Sequence, residues 1–320
     1  MRRDSRGVDV SPARGDRRRH RRRAWAELLR LPALFTVPGD ALAGAAATAT
    51  RPNSRTLLAI GSSLCLYEAG MALNDWADRA EDAAERPHRP LPSGRVRPSA
   101  ALTAACALTV SGLALAARAG RPALAVAAPL AATVWAYDLA LKHTPAGPAA
   151  MAAARALDLL LGAAATTGHT REALPSAGLL GTHTLAVTAV SRHETRGGSA
   201  QTPLAALTAT ALLTGLLPRL SRRASVRRPP GPGSRLAQPV AGALGAALGA
   251  VYATTAGRPY FHAALNPSPP LTQRAVGGGI RATIPFQAAL AARSGAGVTA
   301  LLVAALGPVA GRYARKVSVT

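Results

Sequence analysis

Apolar runs of sixteen to twenty-two residues alternate along the chain with short breaks rich in arginine, proline and glycine. The runs are Leu31 to Thr50, Thr56 to Leu73, Ser99 to Ala117, Pro122 to Tyr137, Gly147 to Gly168, Leu174 to Val190, Thr202 to Leu217 and Leu236 to Ala256. A ninth lies within Ile284 to Ala310, where Arg293, Ser294 and Gly295 interrupt it; an interfacial helix followed by a span from Gly295 to Ala310 is expected there. A helix needs about 20 apolar residues to cross a bilayer. The shorter runs are dense in alanine and glycine, which let helix backbones approach closely. The pattern predicts an all-α, polytopic transmembrane bundle of about nine spans. Residues 1–24 are expected as a disordered basic arm and residues 25–320 as the membrane domain.

Composition agrees with the pattern: 49 % of the 320 residues are hydrophobic, and mean hydropathy is +0.15 despite 38 Lys plus Arg. A net charge of +23 would suggest nucleic-acid binding in a soluble chain. Here the charge sits at the ends and in the breaks, and the arm Arg14 to Arg23, "RGDRRRHRRR", has no aromatic residues to interleave with bases. It reads as a positive-inside signal that keeps the N-terminus cytoplasmic, with no nucleic acid as partner. Counting spans from there sets Asn74 to Asp82, the Tyr137 to Lys142 turn, Ser191 to Gly198 and Gly257 to Arg281 on the cytoplasmic side of a cell membrane. The basic loop Arg219 to Arg235 falls outside on that count, against the rule. Asp40 and the many later spans argue that the first run is not a cleaved signal. Cys65 and Cys106 lie inside apolar runs and suggest neither a disulfide nor a metal-thiolate site.

The chemistry concentrates in "NDWADRAED". On a helix, Asp75, Asp78 and Asp82 fall within roughly 60 degrees of arc, with Asn74 one turn from Asp78. A charge at mid-membrane costs about 2.5–3.5 kcal/mol on insertion scales, so three carboxylates at a span end need water, partners or a cation. Mg2+ suits them, since it prefers hard oxygen ligands and commonly binds one or two carboxylates together with substrate phosphates. A solvated helix whose aspartates pair with Arg79 and Arg86 is the plainer alternative.

"NDWADRAED" fits N-D-x-x-D-x-x-x-D and, with the following "ERPHRPLPSGRV", resembles the first signature of the UbiA superfamily of intramembrane prenyltransferases. "LRLPALFTVPGD" and "LNPSPPLTQRAVGGGIRATIPFQAAL" look like its EboC-like branch. The resemblance implies an enzyme that transfers a polyprenyl group from its diphosphate to a lipophilic acceptor, usually an aromatic ring, with Mg2+ bound by aspartate-rich motifs. By motif match, Asn74, Asp75, Asp78 and Asp82 would hold metal and diphosphate, and Tyr137 and Lys142 would correspond to the family's Tyr and Lys after the fourth span. Asp75, Asp78, Lys142 and Glu194 are the catalytic candidates. In place of the family's second aspartate motif stands "SRHETRGG", where Glu194 is the one carboxylate beside Arg192, His193 and Arg196. The resemblance therefore also implies an alternative, a carrier that binds or translocates an isoprenoid or aromatic precursor without transferring it.

Arg86, Arg192, Arg155 and Asp40 complete the diphosphate candidates. Arg155 and Asp158 lie three apart in the fifth run and would share a face, either as a neutralising pair or in contact with a polar cavity. Asp40 is costly in the first run unless it faces the same cavity. Gly277 to Gly279 is no nucleotide loop, since no strand precedes it.

Overall fold

The structure, a computed structural model, describes residues 14–194, 199–226 and 234–317. Twelve α-helices make up these residues, with no strand among them. They are α1 (Arg14–Leu28), α2 (Val37–Ala47), α3 (Ser54–Ala77), α4 (Arg79–Glu85), α5 (Pro98–Ala119), α6 (Arg121–Ala136), α7 (Gly147–Thr167), α8 (Leu174–Ser191), α9 (Gln201–Val226), α10 (Ser234–Leu265), α11 (Pro269–Arg293) and α12 (Gly297–Val317). Six helical segments are long and apolar enough to cross a membrane, and Leu34–Ala47 and Gly297–Arg312 are shorter apolar helices. The all-α bundle expected from the apolar runs is present; the count of nine spans is not settled by these lengths.

Local chemistry sets the ends. Asn53 caps α3: its side chain accepts from the backbone N–H of Arg55 and Thr56 at 3.0 and 3.2 Å, and the Thr56 hydroxyl accepts from Asn53 N–H at 3.0 Å, a closed capping box. Prolines open α5, α6, α7, α8 and α11 within their first two positions, where the missing N–H costs nothing. Gly168, at φ +81°, stops α7 in the left-handed conformation.

Several boundaries differ from those read off the sequence. The first run is divided: a 3-10 turn occupies Leu31–Thr36 before α2 begins, with Pro32 and Pro38 each forcing a helix start. Residues 14–24 of the arm belong to α1, whereas residues 1–13 lie outside the described residues, as do Arg196 and residues 227–233 of the basic loop. The stretch Gly257 to Arg281, expected as a loop, is helical except for the short break between Leu265 and Pro269. Its Gly277–Gly279 triplet is packed inside α11. A Cβ on Gly279 would stand 2.4 Å from the Tyr260 hydroxyl and one on Gly278 2.8 Å from Pro259. The half expected as an interfacial helix is thus the buried end of α11.

Lipid-facing positions carry the exposed aliphatics: Leu57, Val110, Leu212 and Leu301 are each more than half exposed. Inside, α2 lies against α3, α7 and α11, while α7 bridges α6 and α8. A cavity of about 780 Å³ runs between α3, α6, α7, α8 and α11. On the α11 side of it, Tyr252 stacks on Phe286 with ring centroids 4.3 Å apart. His183 is locked among them: the Gly279 carbonyl, 3.2 Å away, can only accept, so Nε2 carries the proton and the Tyr252 hydroxyl donates to Nδ1 at 3.2 Å.

The tightest crossing is α2 on α7. A Cβ on Gly162 would lie 2.2 Å from the Ala41 carbonyl oxygen, and one on Gly44 2.0 Å from that of Leu159. These glycines let Asp40 on α2 reach α7. Gly162→Val should therefore force the helices apart and destabilise the protein by about 1–3 kcal/mol, read as a lowered midpoint of thermal unfolding in detergent. Gly242→Ala, at an open position where a Cβ meets nothing within 4 Å, should leave that midpoint unchanged.

Candidate active site

The aspartate motif does not form one face. α3 ends at Ala77, Asp78 takes φ −85° and ψ 4°, and α4 starts again at Arg79. Asn74 and Asp78 line the cavity, and Asp75 and Asp82 stand behind the arginines that line it. Asp75 holds Arg30 at 3.3 Å and Arg89 at 3.6 Å. Asp82 holds Arg89 at 2.7 Å and Arg86 at 3.8 Å. Both aspartates are almost fully buried, and their role in this geometry is to fix three arginines at the cavity mouth. The metal role expected for Asp75 and Asp82 is neither met nor excluded by these pairs; in this geometry each carboxylate is occupied by guanidinium groups.

Asp78 forms an ion pair with the Lys142 ammonium. Lys142 is brought there by a π-turn at Tyr137–Leu141 that ends α6 and in which the Lys142 N–H donates to the Tyr137 carbonyl at 2.9 Å. The wider turn brings Tyr137, Asp138 and Lys142 together to line the cavity, a case of a π-turn at a functional position. Arg192 donates to the Thr144 carbonyl, and it and Glu194 line the cavity together with Asn74 and Asp78. Burial pushes the Glu194 carboxyl above its usual range, with the positive charge of Arg86 opposing the shift.

Asp138, Arg30, Arg89 and His143 were missed in the sequence. Asp138 accepts from Asn74 Nδ2 at 3.0 Å, which commits the amide nitrogen and leaves the amide oxygen free to bind a cation. His143 and Glu81 come near Asp78, their ligating atoms all within 4.8 Å of one another. The available signals were the arginine of "LRLP" and the second arginine of "RPHRP". Asp138 was hidden because a π-turn departs from the 3.6-residue period.

Arg155 and Asp40 do not join this mouth. Arg155 binds Asp40 at 2.9 Å, so its partner is on α2 and not Asp158, which accepts instead from the Ser63 hydroxyl. Gln287 on α11 donates to Asp40 at 2.5 Å and to the Thr36 carbonyl at 2.8 Å. Ser63 stands twelve residues before Asp75 on one continuous helix, about 18 Å along its axis. Arg155, Asp158 and Ser63 line the same cavity at that depth, while Asp40 is fully buried behind them. Their expected part in diphosphate binding is not supported by this separation or by the pairing of Arg155 with Asp40.

The family profile of the UbiA prenyltransferase family matches residues 33–218. The chain belongs to this family. It is 36% identical over 128 residues to a digeranylgeranylglyceryl phosphate synthase of Methanopyrus kandleri, covering 38% of this chain and 45% of that protein. To the enzyme of the same name from Ignicoccus hospitalis it is 34% identical over 145 residues, 45% of this chain and 48% of that one. The chain thus spans about half the length of the curated relatives it matches. Among solved structures, a UbiA homologue from Archaeoglobus fulgidus bound to GPP and Mg2+ superposes with a TM-score of 0.60 at 17% identity, over 90% of this chain and 99% of that one. An apo UbiA homologue from Aeropyrum pernix K1 gives 0.56 at 18% identity, over 78% and 96%. These last two establish the fold. With its apolar helices, UbiA membership makes this a multi-pass membrane protein.

Mg2+, which the family implies, is tested by the donor set. Asn74, Asp78, Asp138 and Glu194 offer hard oxygens at one mouth, the ligand type Mg2+ takes, and the Asn74 amide is already oriented. The oxygen donors fit the ion in type, and among the described residues the close group of candidate ligands is Asp78 with Glu81 and His143. Asp138→Leu should weaken binding of Mn2+, used as a spectroscopic stand-in and followed by EPR titration, by about 10- to 100-fold. Asp138→Asn, whose amide oxygen still accepts from Asn74, should recover most of the affinity.

Proposed function

We propose that this protein transfers a prenyl group from its diphosphate to a lipophilic acceptor inside the membrane. The observation that supports it is the charge pattern of one cavity. At its mouth, Arg30, Arg86, Arg89, Lys142 and Arg192 line the cavity together with Asp78, Asp138 and Glu194, with Asp75 and Asp82 behind the arginines, while Leu66, Gly70, Leu130, Val134 and Met151 line the wall below. The mouth suits a polyanion. The wall suits a hydrocarbon and keeps water from an allylic cation.

In this reading the allylic C1–O bond breaks with its electron pair leaving on the diphosphate. Mg2+, when bound, supplies Lewis-acid stabilisation of that leaving charge. Lys142 and Arg192 stabilise it by direct hydrogen bonds, as preorganised donors do for developing charge. Asn74 and Asp78, oriented by Asp138 and Lys142, present oxygen ligands. Asp75 and Asp82 act at one remove by holding the arginines. The acceptor forms its bond to C1 and loses a proton through the wet mouth.

The acceptor is a phosphate-bearing lipophilic alcohol. Two features support this over the aromatic ring expected from the family resemblance. The relatives are named digeranylgeranylglyceryl phosphate synthases, and the arginines held by Asp75 and Asp82 exceed what one metal-bound diphosphate requires. Tyr67 and Tyr137 are the cavity's sole Tyr, Phe or Trp neighbours among the described residues, a sparse lining for an aromatic substrate. The arginine-rich segment before the first apolar helix supports a mouth at the cytoplasmic face of the cell membrane, by the positive-inside rule. A second reading, a carrier that binds the diphosphate without turnover, is favoured by Glu194 being the lone carboxylate of "SRHETRGG".

Purified protein given labelled prenyl diphosphates and either a glycerophosphate ether or an aromatic acid should form Mg2+-dependent product with the former. Lys142→Ala and Asp78→Ala should each lower kcat by about 10²–10³-fold. Asp75→Ala, acting only through Arg30 and Arg89, should cost less than Asp78→Ala. Product with the aromatic acid alone would reverse the acceptor assignment, and diphosphate binding without product from any acceptor would favour the carrier.

A further inference from the structure

The cavity has a charged floor as well as a charged mouth. Arg155, Asp158 and Ser63 line it deep between the helices, with Asp40 and Gln287 behind. From Asn74 at the mouth to Ser63 at the floor is eleven residues of unbroken helix, about 16 Å. An extended isoprene unit adds four carbon–carbon bonds to a chain, about 4.5–5 Å by ordinary bond geometry. Three units anchored at Asn74 end just above the floor, whereas a fourth reaches it.

We infer that the Asp40–Arg155 pair and the Ser63–Asp158 hydrogen bond form a ruler that limits the prenyl donor to about three isoprene units, a C10 to C15 chain. This rests on the transferase reading for the placement of the diphosphate, and it sets the chain apart in donor length from the relatives whose name carries the four-unit geranylgeranyl group. Hydrocarbon pressed on Arg155 and Asp158 displaces what solvates them and returns no hydrogen bond. The pair has no freedom to retreat, because the α2–α7 crossing is closed by Gly44 and Gly162 and Asp40 is tied to Gln287. Ala154, one turn above Asp158 on the cavity side of α7, marks the last apolar level.

The test is displacement of a labelled geranyl thiolodiphosphate by the unreactive C10, C15 and C20 thiolodiphosphates in Mg2+, with turnover of the matching diphosphates measured in parallel. C15 should bind most tightly and C20 about tenfold more weakly, the scale on which a pocket rejects a misfitting chain. Asp158→Leu, which makes the floor apolar, should bring C20 to within about threefold of C15. Ala154→Leu leaves the polar network intact and raises the floor, so it should weaken C15 about tenfold while sparing C10. C20 binding as tightly as C15 in the unaltered protein would overturn the ruler, because the tail would then leave sideways between helices, and would leave the transferase reading standing. The expected order of affinities without turnover would uphold the ruler and overturn the transferase. No binding of any analogue would overturn both.

Discussion

A carboxylate carried into a bilayer has to be hydrated, paired or bound to a cation, at a cost of about 2.5–3.5 kcal/mol when it is none of these, and this requirement organises the whole interior. Asp40, Asp75, Asp78, Asp82, Asp138 and Asp158 each meet a hydrogen-bonding or ionic partner. The partners come from distant parts of the chain: Arg30 precedes the first apolar helix, Lys142 follows α6, Arg155 lies on α7 and Gln287 on α11. Pairing thus joins helices that alanine and leucine, equally at home in lipid, would not bring together by hydrophobicity. Glu68, buried on α3 with neither oxygen hydrogen-bonded, stands apart from this rule, and the contacts around it offer no account of it.

The pairs divide into two levels with different consequences. At the mouth the ion pairs are partly open to solvent, with Arg86 and Arg30 about two-fifths exposed. Screening there keeps each pair weak, so these side chains can exchange partners at little cost. At the floor Asp40 is fully buried and its pair with Arg155 is reinforced by Gln287. Breaking such a pair leaves an uncompensated charge in low dielectric, a penalty of about 3–5 kcal/mol. One cavity therefore has an exchangeable end and a fixed end, with an apolar wall between them.

Much of the fold was legible because membrane helices announce themselves by long apolar runs. The boundaries that were misread are those where polarity misleads. Gly257 to Arg281 carries Arg258, His262, Arg274 and Arg281 and reads as a loop, yet α10 and α11 continue through it, since a helix that leaves the bilayer has no reason to end. The site was legible as a motif and illegible as a geometry. "NDWADRAED" located the carboxylates, and a periodicity argument gave them one face. At the helix break, residues that line the cavity, Asn74 and Asp78, stand beside residues that hold its arginines, Asp75 and Asp82, and no spacing rule anticipates one residue near ψ 0°.

Arg155 illustrates the same limit in reverse. Sequence spacing offers Asp158, three residues on, as its partner, and in an isolated helix that pair would form. In the bundle, Gly44 and Gly162 remove the side chains that would keep α2 and α7 apart, and Asp40 comes within 2.9 Å of the guanidinium. Asp158 is released to Ser63 on α3. Two glycines without any chemistry of their own thus decide which carboxylate neutralises the arginine and which one stays at the cavity surface. The polar floor follows from backbone approach, a property encoded by the absence of side chains and for that reason the hardest to read from a string of residues.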